Sequence, residues 1–467
     1  MFQRINVWYI SSLLVTLTVA IPISTVLLSS FNFFSLFVFS LLFWFLCFDF
    51  VSGDKHYLFN QNFQALFVFF IICVLYCSVD FLKTKNIFKY EYDLLFAFVI
   101  FSGISLCFCN EFLLVYLTIE LQSLSLYVFA TFNRNSEFSI EAGLKYFVFG
   151  GIMSCFLLLG FALIYLYFGS LSFETIYSIS SFDCDMLFFT GFLFVLIVLL
   201  FKVGAVPFHF WLSDVYEGSI LPVTLLFACA PKIVLFGLLL KICFFLLADY
   251  SYVWFNIIGC SAVLSIIIGS ISAIFQKRWK RLFAYSTIAH TGFILLVFFS
   301  CSLEASKSLI FYIVIYSILT LTTFAYLINT ASVLSLQPKY IVNFSGIGYK
   351  NHVFAVMFAL TILAIAGIPP LAGFFSKFFV ILSIIGSGHY AVALVVIFFS
   401  SIACFYYIRI IKVMFFVNTI KNNLWITSKT KQNTEIVIAF FMFIILFYFL
   451  YPNLILDFTT VVSLSLL

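Results

Sequence analysis

Long apolar runs separated by short polar stretches repeat along the whole chain. A transmembrane helix needs about 20 mainly apolar residues. Fourteen runs answer to this: 7–28, 31–52, 63–82, 92–109, 111–132, 142–168, 187–210, 219–246, 253–275, 282–302, 306–332, 352–385, 389–414 and 433–457. The run 352–385 is longer than one crossing needs. The pattern predicts an all-α polytopic membrane protein of about fourteen helices. Two runs carry backbone breakers. FKVGAVPFHFW puts Gly204 and Pro207 in the seventh span, and AGIPPLAGFFSKF puts Gly367, Pro369, Pro370 and Gly373 in the twelfth. Proline removes a helix hydrogen bond and clashes with the preceding turn. Unwound backbone is tolerated in a membrane only against protein or water, so paired interruptions point to ion sites. The breaks lie five spans apart, which suggests repeat units of about five helices. A lysine precedes the first break and follows the second, which reads as an inverted repeat.

The basic residues support this count. Of the 23 Lys and Arg, fifteen fall in loops after odd-numbered spans, from Lys83 to Lys431, and three on the opposite side, Arg4, Lys55 and Lys307. A wrong count would scramble that parity. Basic loops favour the inner side, so both termini are expected on the outer face and the basic loops on the matrix or cytoplasmic face.

Five lysines remain inside spans: Lys145, Lys202, Lys232, Lys241 and Lys377. Among the 18 acids, Glu120 in YLTIELQSLSLYVF stands clearly at mid-span. His209 and His290 lie within or at the ends of apolar runs. Lys241 reads as a lysine snorkelling to a helix end, and His209, beside Trp211 and Asp214, suits an interface as well as a site. Glu120, Lys145, Lys202, Lys232 and Lys377 have no nearby helix end. They are either static ion pairs or working groups. Buried pairs often stabilise less than apolar residues would, and intramembrane charges mark ion and proton paths. Burial disfavours a charged amine and a nearby carboxylate favours it. A lysine whose partner moves therefore binds and releases a proton, and a row of such groups joined by water carries protons.

Composition narrows the field. The chain is 65% hydrophobic and 9% charged, where a soluble domain is about a quarter charged. Its +5 net charge is therefore a matter of sidedness, not of a nucleic-acid surface. The 12 Cys form no CxxC pair, which argues against iron–sulfur or zinc ligation here. GSISAIFQKRWKR lacks the spacing of a phosphate loop. The start, MFQRINVWYISSLL, has one Arg and no small-residue cleavage site, which speaks against a transit peptide or cleaved signal. The 69 Phe suit an AT-rich genome such as an organelle's.

The order of ELQSLSLYVF, EAGLKYFVFGG, FKVGAVPFHFWLSDVYEGS with LPVT, PKIVLFG, KRLFAYSTIAHTGF and GIPPLAGFFSKF, from about residue 110 to about 380, resembles the antiporter-like membrane subunits of respiratory complex I (NADH:ubiquinone oxidoreductase). The resemblance is greatest to the type nearest the quinone-binding module. It implies fourteen helices, with helices 4–8 and 9–13 as inverted repeats and helices 7 and 12 broken. The expected segments are 1–90 for helices 1–3, 91–250 and 251–415 for the repeats, and 416–467 for a loop and last helix. The resemblance also implies a proton path through Glu120, Lys145, Lys202, Lys232, His290 and Lys377. Glu120 would tune Lys145 and Lys202, Lys202 and Lys232 would hold and pass the proton, His290 would bridge to the second half, and Lys377 would end the row. Lysine at 377 fits this type, because a sister subunit has glutamate there. No cofactor or metal is expected in this chain; NADH, FMN, iron–sulfur clusters and ubiquinone would belong to partner subunits. Expected partners are other membrane-arm subunits and lipids, with no nucleic acid. The mitochondrial inner membrane is the expected location, with a bacterial plasma membrane as the alternative. Two other functions suit the charge pattern: a cation/proton antiporter subunit without electron flow, or a non-pumping scaffold.

Overall fold

A computed structural model describes residues 55–85, 90–179, 186–248, 250–300, 302–333, 339–417 and 432–466. The runs 7–28 and 31–52, most of the segment 1–90 and the basic loop residues Lys421, Lys429 and Lys431 lie outside the described residues. The described residues form helices and no strand. In chain order these are α1 (Lys55–Thr84), α2 (Tyr90–Cys107), α3 (Phe112–Ala130), α4 (Glu137–Phe168), the short α5 (Phe173–Ile179), α6 (Met186–Val203), α7 (Phe210–Gly218) and α8 (Leu221–Leu240), which continues into a π-helical turn, Lys241–Leu246. Then come α9 (Ser251–Ile274), α10 (Trp279–Leu296), α11 (Leu303–Val333), α12 (Ile347–Lys350), α13 (His352–Ala366), α14 (Ala372–Gly386), α15 (Tyr390–Phe416), α16 (Gln432–Phe447) and α17 (Asn453–Leu464). Among the described residues, ten helices are long and apolar enough to cross a membrane, and α13, α14, α16 and α17 contribute shorter apolar helices.

Both predicted interruptions are real breaks. The seventh run is helical only to the end of α6 at Val203, and α7 starts at Phe210, the run's last residue, so this break lies at the end of the expected span; the twelfth divides into α13 and α14. That explains the surplus length of 352–385: it is two half-helices around a turn. The run 433–457, expected as one helix, is also divided, into α16 and α17 with Pro452 at the start of α17. Proline lacks the donor needed to continue a helix, so the chain turns there.

Two helices form the centre. Every residue of α8 is buried, and so is the apolar stretch of α11. A helix that is apolar all round suits a protein core or a lipid-facing span, and the burial of α8 on every side makes it a core helix. The two pack against each other, and α11 also touches α1, α13, α14, α16 and α17. The polar residues of α11 are tolerated because Ser308, Ser317, Thr320, Thr322, Thr323 and Thr330 each donate to a carbonyl one turn back in the same helix. By contrast α4 and α15 present broad apolar faces to the outside of the chain, including Phe147, Leu166, Leu394 and Phe398. Small residues allow close helix contacts. A side chain at Gly160 would stand 2.8 Å from the Gly191 carbonyl oxygen, which is how α4 and α6 approach so closely.

Candidate functional site

The two breaks share one local design. In each, a glycine in the left-handed region ends the first half-helix: Gly204 at φ 83° and Gly367 at φ 85°. That conformation suits glycine because it lacks a Cβ. A cis X-Pro bond follows in the same register, Val206–Pro207 and Pro369–Pro370, so both breaks read Gly-x-x-Pro. Each break leaves helix carbonyls without their usual donors. In the first, the Trp211 indole N–H, on α7, donates to the Phe201 carbonyl at 3.0 Å. In the second, the Lys377 ammonium itself donates to the Ala366 carbonyl at 2.6 Å.

The amines are buried beside these breaks. Lys202, Lys232 and Lys377 are all less than a tenth exposed. Lys202 Nζ is buried without a hydrogen-bond partner among the described residues and lies 5.9 Å from the Tyr127 ring centre. Lys232 Nζ donates to the Tyr316 hydroxyl at 3.3 Å, and Lys377 Nζ lies 5.6 Å from the Phe293 ring centre. Aromatic faces attract cations, so neutral rings do part of the work that carboxylates would do in ion pairs.

Two small cavities lie along the row, one at Lys202 and Lys232 and one at His290. One of about 20 Å³ is lined by Gln122, Ser123, Tyr146, Lys202, Trp211 and Lys232, among others. The other, about 10 Å³, has Ser286, Thr287, His290, Tyr316 and Thr320 in its wall. A water needs roughly 10–15 Å³ by this measure, so each is of the order of a single water. His290 Nδ1 lies 2.8 Å from the Tyr312 hydroxyl and Nε2 lies 3.4 Å from the Tyr407 hydroxyl. The residues thus run from the first break, through Lys202, Lys232, Tyr316 and His290, towards Lys377 at the second.

Glu120 stands at the outer end of this run but forms no ion pair among the described residues. Its Oε1 is buried without a partner, and its Oε2 accepts from Ser123 Oγ at 3.4 Å. Lys145 is a correction. It was expected at mid-span beside Glu120. Its side chain is 40% exposed, and its ammonium pairs with Glu141 at 2.7 Å and Asp214 at 2.9 Å. Lys145 is only eight residues into α4 from Glu137, so its long stem brings the charge to acids near that end. Asp214 also takes Arg281 at 3.0 Å, and Glu217 pairs with Arg278 and Arg281. Lys145 therefore belongs to a charged clamp that ties α7 to α4 and α10.

Lys241 is the second correction. It does not snorkel: it is 7% exposed, and its ammonium donates to the Cys109 carbonyl at 2.8 Å, Asn110 Oδ1 at 2.7 Å and Asn60 Oδ1 at 3.5 Å. An ammonium has three donors, and three acceptors from α1 and the α2–α3 turn meet them. His209 occupies the N-cap position of α7 with no capping hydrogen bond from its side chain and is half-buried.

The phenols went unread. Tyr312 and Tyr316 are four residues apart, hence on one face of α11, and a buried phenol usually finds a partner. That spacing was available, but a chain with 25 Tyr does not single out two of them. Among the described residues no group of three or more His, Cys, Asp or Glu is placed to hold a metal ion.

Residues 109–404 match the family described as NADH:quinone oxidoreductase/Mrp antiporter, TM. The chain is 38% identical over 386 residues to the NADH-ubiquinone oxidoreductase chain 2 of Marchantia polymorpha, covering 80% of this chain and 77% of the relative. It is 36% identical over 364 residues to the NADH-quinone oxidoreductase subunit N of Parvibaculum lavamentivorans, covering 77% of this chain and 74% of that one. Its fold is similar to a chain of respiratory complex I from Thermus thermophilus with bound aureothin, at a TM-score of 0.76 and 25% identity, over 96% of this chain and 98% of that one.

Proposed function

The chain belongs to the NADH:quinone oxidoreductase/Mrp antiporter membrane family, and on that premise we propose that it is the proton-translocating membrane-arm subunit of the chain 2 or subunit N type in respiratory complex I. It serves an NADH:quinone oxidoreductase that translocates protons. Redox chemistry with NADH, FMN, iron–sulfur clusters and ubiquinone is assigned to partner subunits. Its neighbours are other membrane-arm subunits, including antiporter-like sisters, together with lipids. Relatives come from both a plant and a bacterium; the Phe-rich composition favours the mitochondrial inner membrane.

One observation carries the reading. Among the described residues the buried amines between the two breaks are held by rings, a phenol and a carbonyl, not closed into ion pairs, and water-sized cavities lie beside Lys202 and Lys232 and beside His290. Groups held this way keep their protons exchangeable. The working row is Glu120, Lys202, Lys232, His290 and Lys377. Lys145 works through α7 and not as the partner of Glu120. Fourteen crossings and two inverted five-helix units remain part of the proposal, supported by the common Gly-x-x-Pro design of the breaks.

Energy reaches the row as a change in electrostatics at the Glu120 end. Moving one charge against about 100 mV costs about 2.3 kcal/mol. A change of about two pKa units at one group corresponds to about 2.7 kcal/mol, so one carboxylate–amine rearrangement is large enough. The test is Glu120→Gln in the assembled complex. Proton pumping linked to NADH oxidation is expected to be lost while assembly persists. Normal pumping in that variant would defeat the reading.

A further inference from the structure

The two halves of the row meet at one hydroxyl. Lys232 faces the first cavity and His290 the second. Between them stands Tyr316, buried on α11 and part of the second cavity's wall. Its hydroxyl accepts from Lys232 Nζ at 3.3 Å and donates to the Ala228 carbonyl at 3.2 Å. The Tyr316 and His290 rings lie 5.7 Å apart, centre to centre, and the hydrogen bonds of His290 go instead to Tyr312 and Tyr407.

We propose that Tyr316 is the proton gate between the halves, closed while its O–H points at Ala228 and open when that O–H turns into the second cavity. A phenol has one donor and two acceptor sites. Here the donor is held by Ala228 and one acceptor by Lys232, so a proton offered by Lys232 has no onward route in this arrangement. Turning the O–H about its C–O bond moves no heavy atom. In the open state the transfer balances. The Lys232 N–H bond breaks and that proton joins the phenol oxygen. The phenol's own proton passes to a water in the second cavity and from there to neutral His290. The phenol is neutral before and after, and one positive charge has moved from Lys232 to His290. The O–H then turns back to Ala228, which resets the gate and blocks return.

A phenol present only to satisfy itself would need Ala228 alone. The contact with Lys232 links a residue of the first cavity's wall to one of the second's, which is what a relay requires. The proposal rests on the row carrying protons, and the experiment keeps the two apart. The assembled complex is reconstituted in vesicles, and NADH oxidation and proton uptake are measured per assembled complex for Lys232→Ala, Tyr316→Phe, Tyr316→His and Tyr448→Phe. Removing a positioned proton-transfer group is expected to slow coupled turnover about tenfold or more. Both Lys232→Ala and Tyr316→Phe should show that loss. Tyr316→His, which accepts and donates, should recover part of it, and Tyr448→Phe, a buried phenol packed on Phe311 and Phe375 whose hydroxyl has no hydrogen-bond partner among the described residues, should match the parent. Normal rates in Tyr316→Phe with loss in Lys232→Ala would overturn the gate and leave the row standing. Equal losses in Tyr316→Phe and Tyr316→His would make the phenol a packing element and also overturn the gate. Normal rates in Lys232→Ala would remove the row itself. Should Tyr316→Phe fail to assemble, Tyr316→His decides alone: a tenfold loss per assembled complex overturns the gate.

Discussion

The first break and the second are built alike and finished differently. Both run Gly-x-x-Pro with the glycine near φ 84°, 83° in one and 85° in the other. In the first, the Phe201 carbonyl takes the Trp211 indole beside the Gly204 N–H, and the adjacent Lys202 keeps an ammonium with no hydrogen-bond partner among the described residues. In the second, the spare Ala366 carbonyl goes to Lys377, and the ammonium is tethered. The residue that satisfies the broken helix therefore decides which lysine is free. The half-helices differ to match. The nine-residue α7 is steered by a charged clamp, whereas α14 has fifteen residues and one charge, Lys377.

The largest expected effect separates the two lysines. Lys377→Met should remove an amine and also leave the buried Ala366 carbonyl with only the weak Cys404 thiol as donor, where a wholly unpaired carbonyl would cost about 1–3 kcal/mol. Lys202→Met removes an amine that no hydrogen bond repays, and a buried ion without a partner is itself costly. Both variants should lose coupled turnover, but only Lys377→Met should lower the melting temperature of the assembled complex. Equal melting temperatures would break the comparison.

Next comes Trp211→Phe, which leaves the Phe201 carbonyl with the Gly204 N–H alone and one acceptor site open. Lys202 is then expected to take it, as Lys377 takes Ala366, and to transfer protons more slowly. A structure of the variant with Lys202 Nζ at hydrogen-bond distance from that carbonyl, together with slowed turnover, would sharpen the contrast. An unmoved Lys202 would dissolve it.

The smallest effect is expected from Asp214→Asn. It removes the shared acid of Lys145 and Arg281, whose side chains are each about 40% exposed. Exposed pairs contribute about 0–1 kcal/mol and are screened by salt. The stability lost should be small and should shrink further as salt rises, which thermal melts at two ionic strengths would reveal.

Much of this was legible in the chain. Glycine and proline announced both breaks, and lysines inside apolar runs announced the row, because each breaks a local rule that a membrane enforces. Partners were not legible. Lys145 finds Asp214 and Lys241 finds Asn110 across 69 and 131 residues of chain, and only packing decides that. Pro452 was readable as the divider of the last span but was passed over inside an apolar run. The sequence argument for an inverted repeat also changes. Inversion through the membrane plane keeps chain order, and the breaks do share that order. The lysines on opposite sides of them record a difference between the halves, not the symmetry.

Lys241 has a consequence beyond tying helices together. Its three acceptors are all neutral, so its charge is uncancelled within its own shell. It sits nine residues beyond Lys232 on the same helical rod, roughly 13 Å further along at about 1.5 Å per residue. Two like charges at that spacing repel by about 1 kcal/mol at an effective dielectric of about 20. For a proton resting on Lys232, travel toward that end of α8 is uphill, and the slope tilts it towards Tyr316.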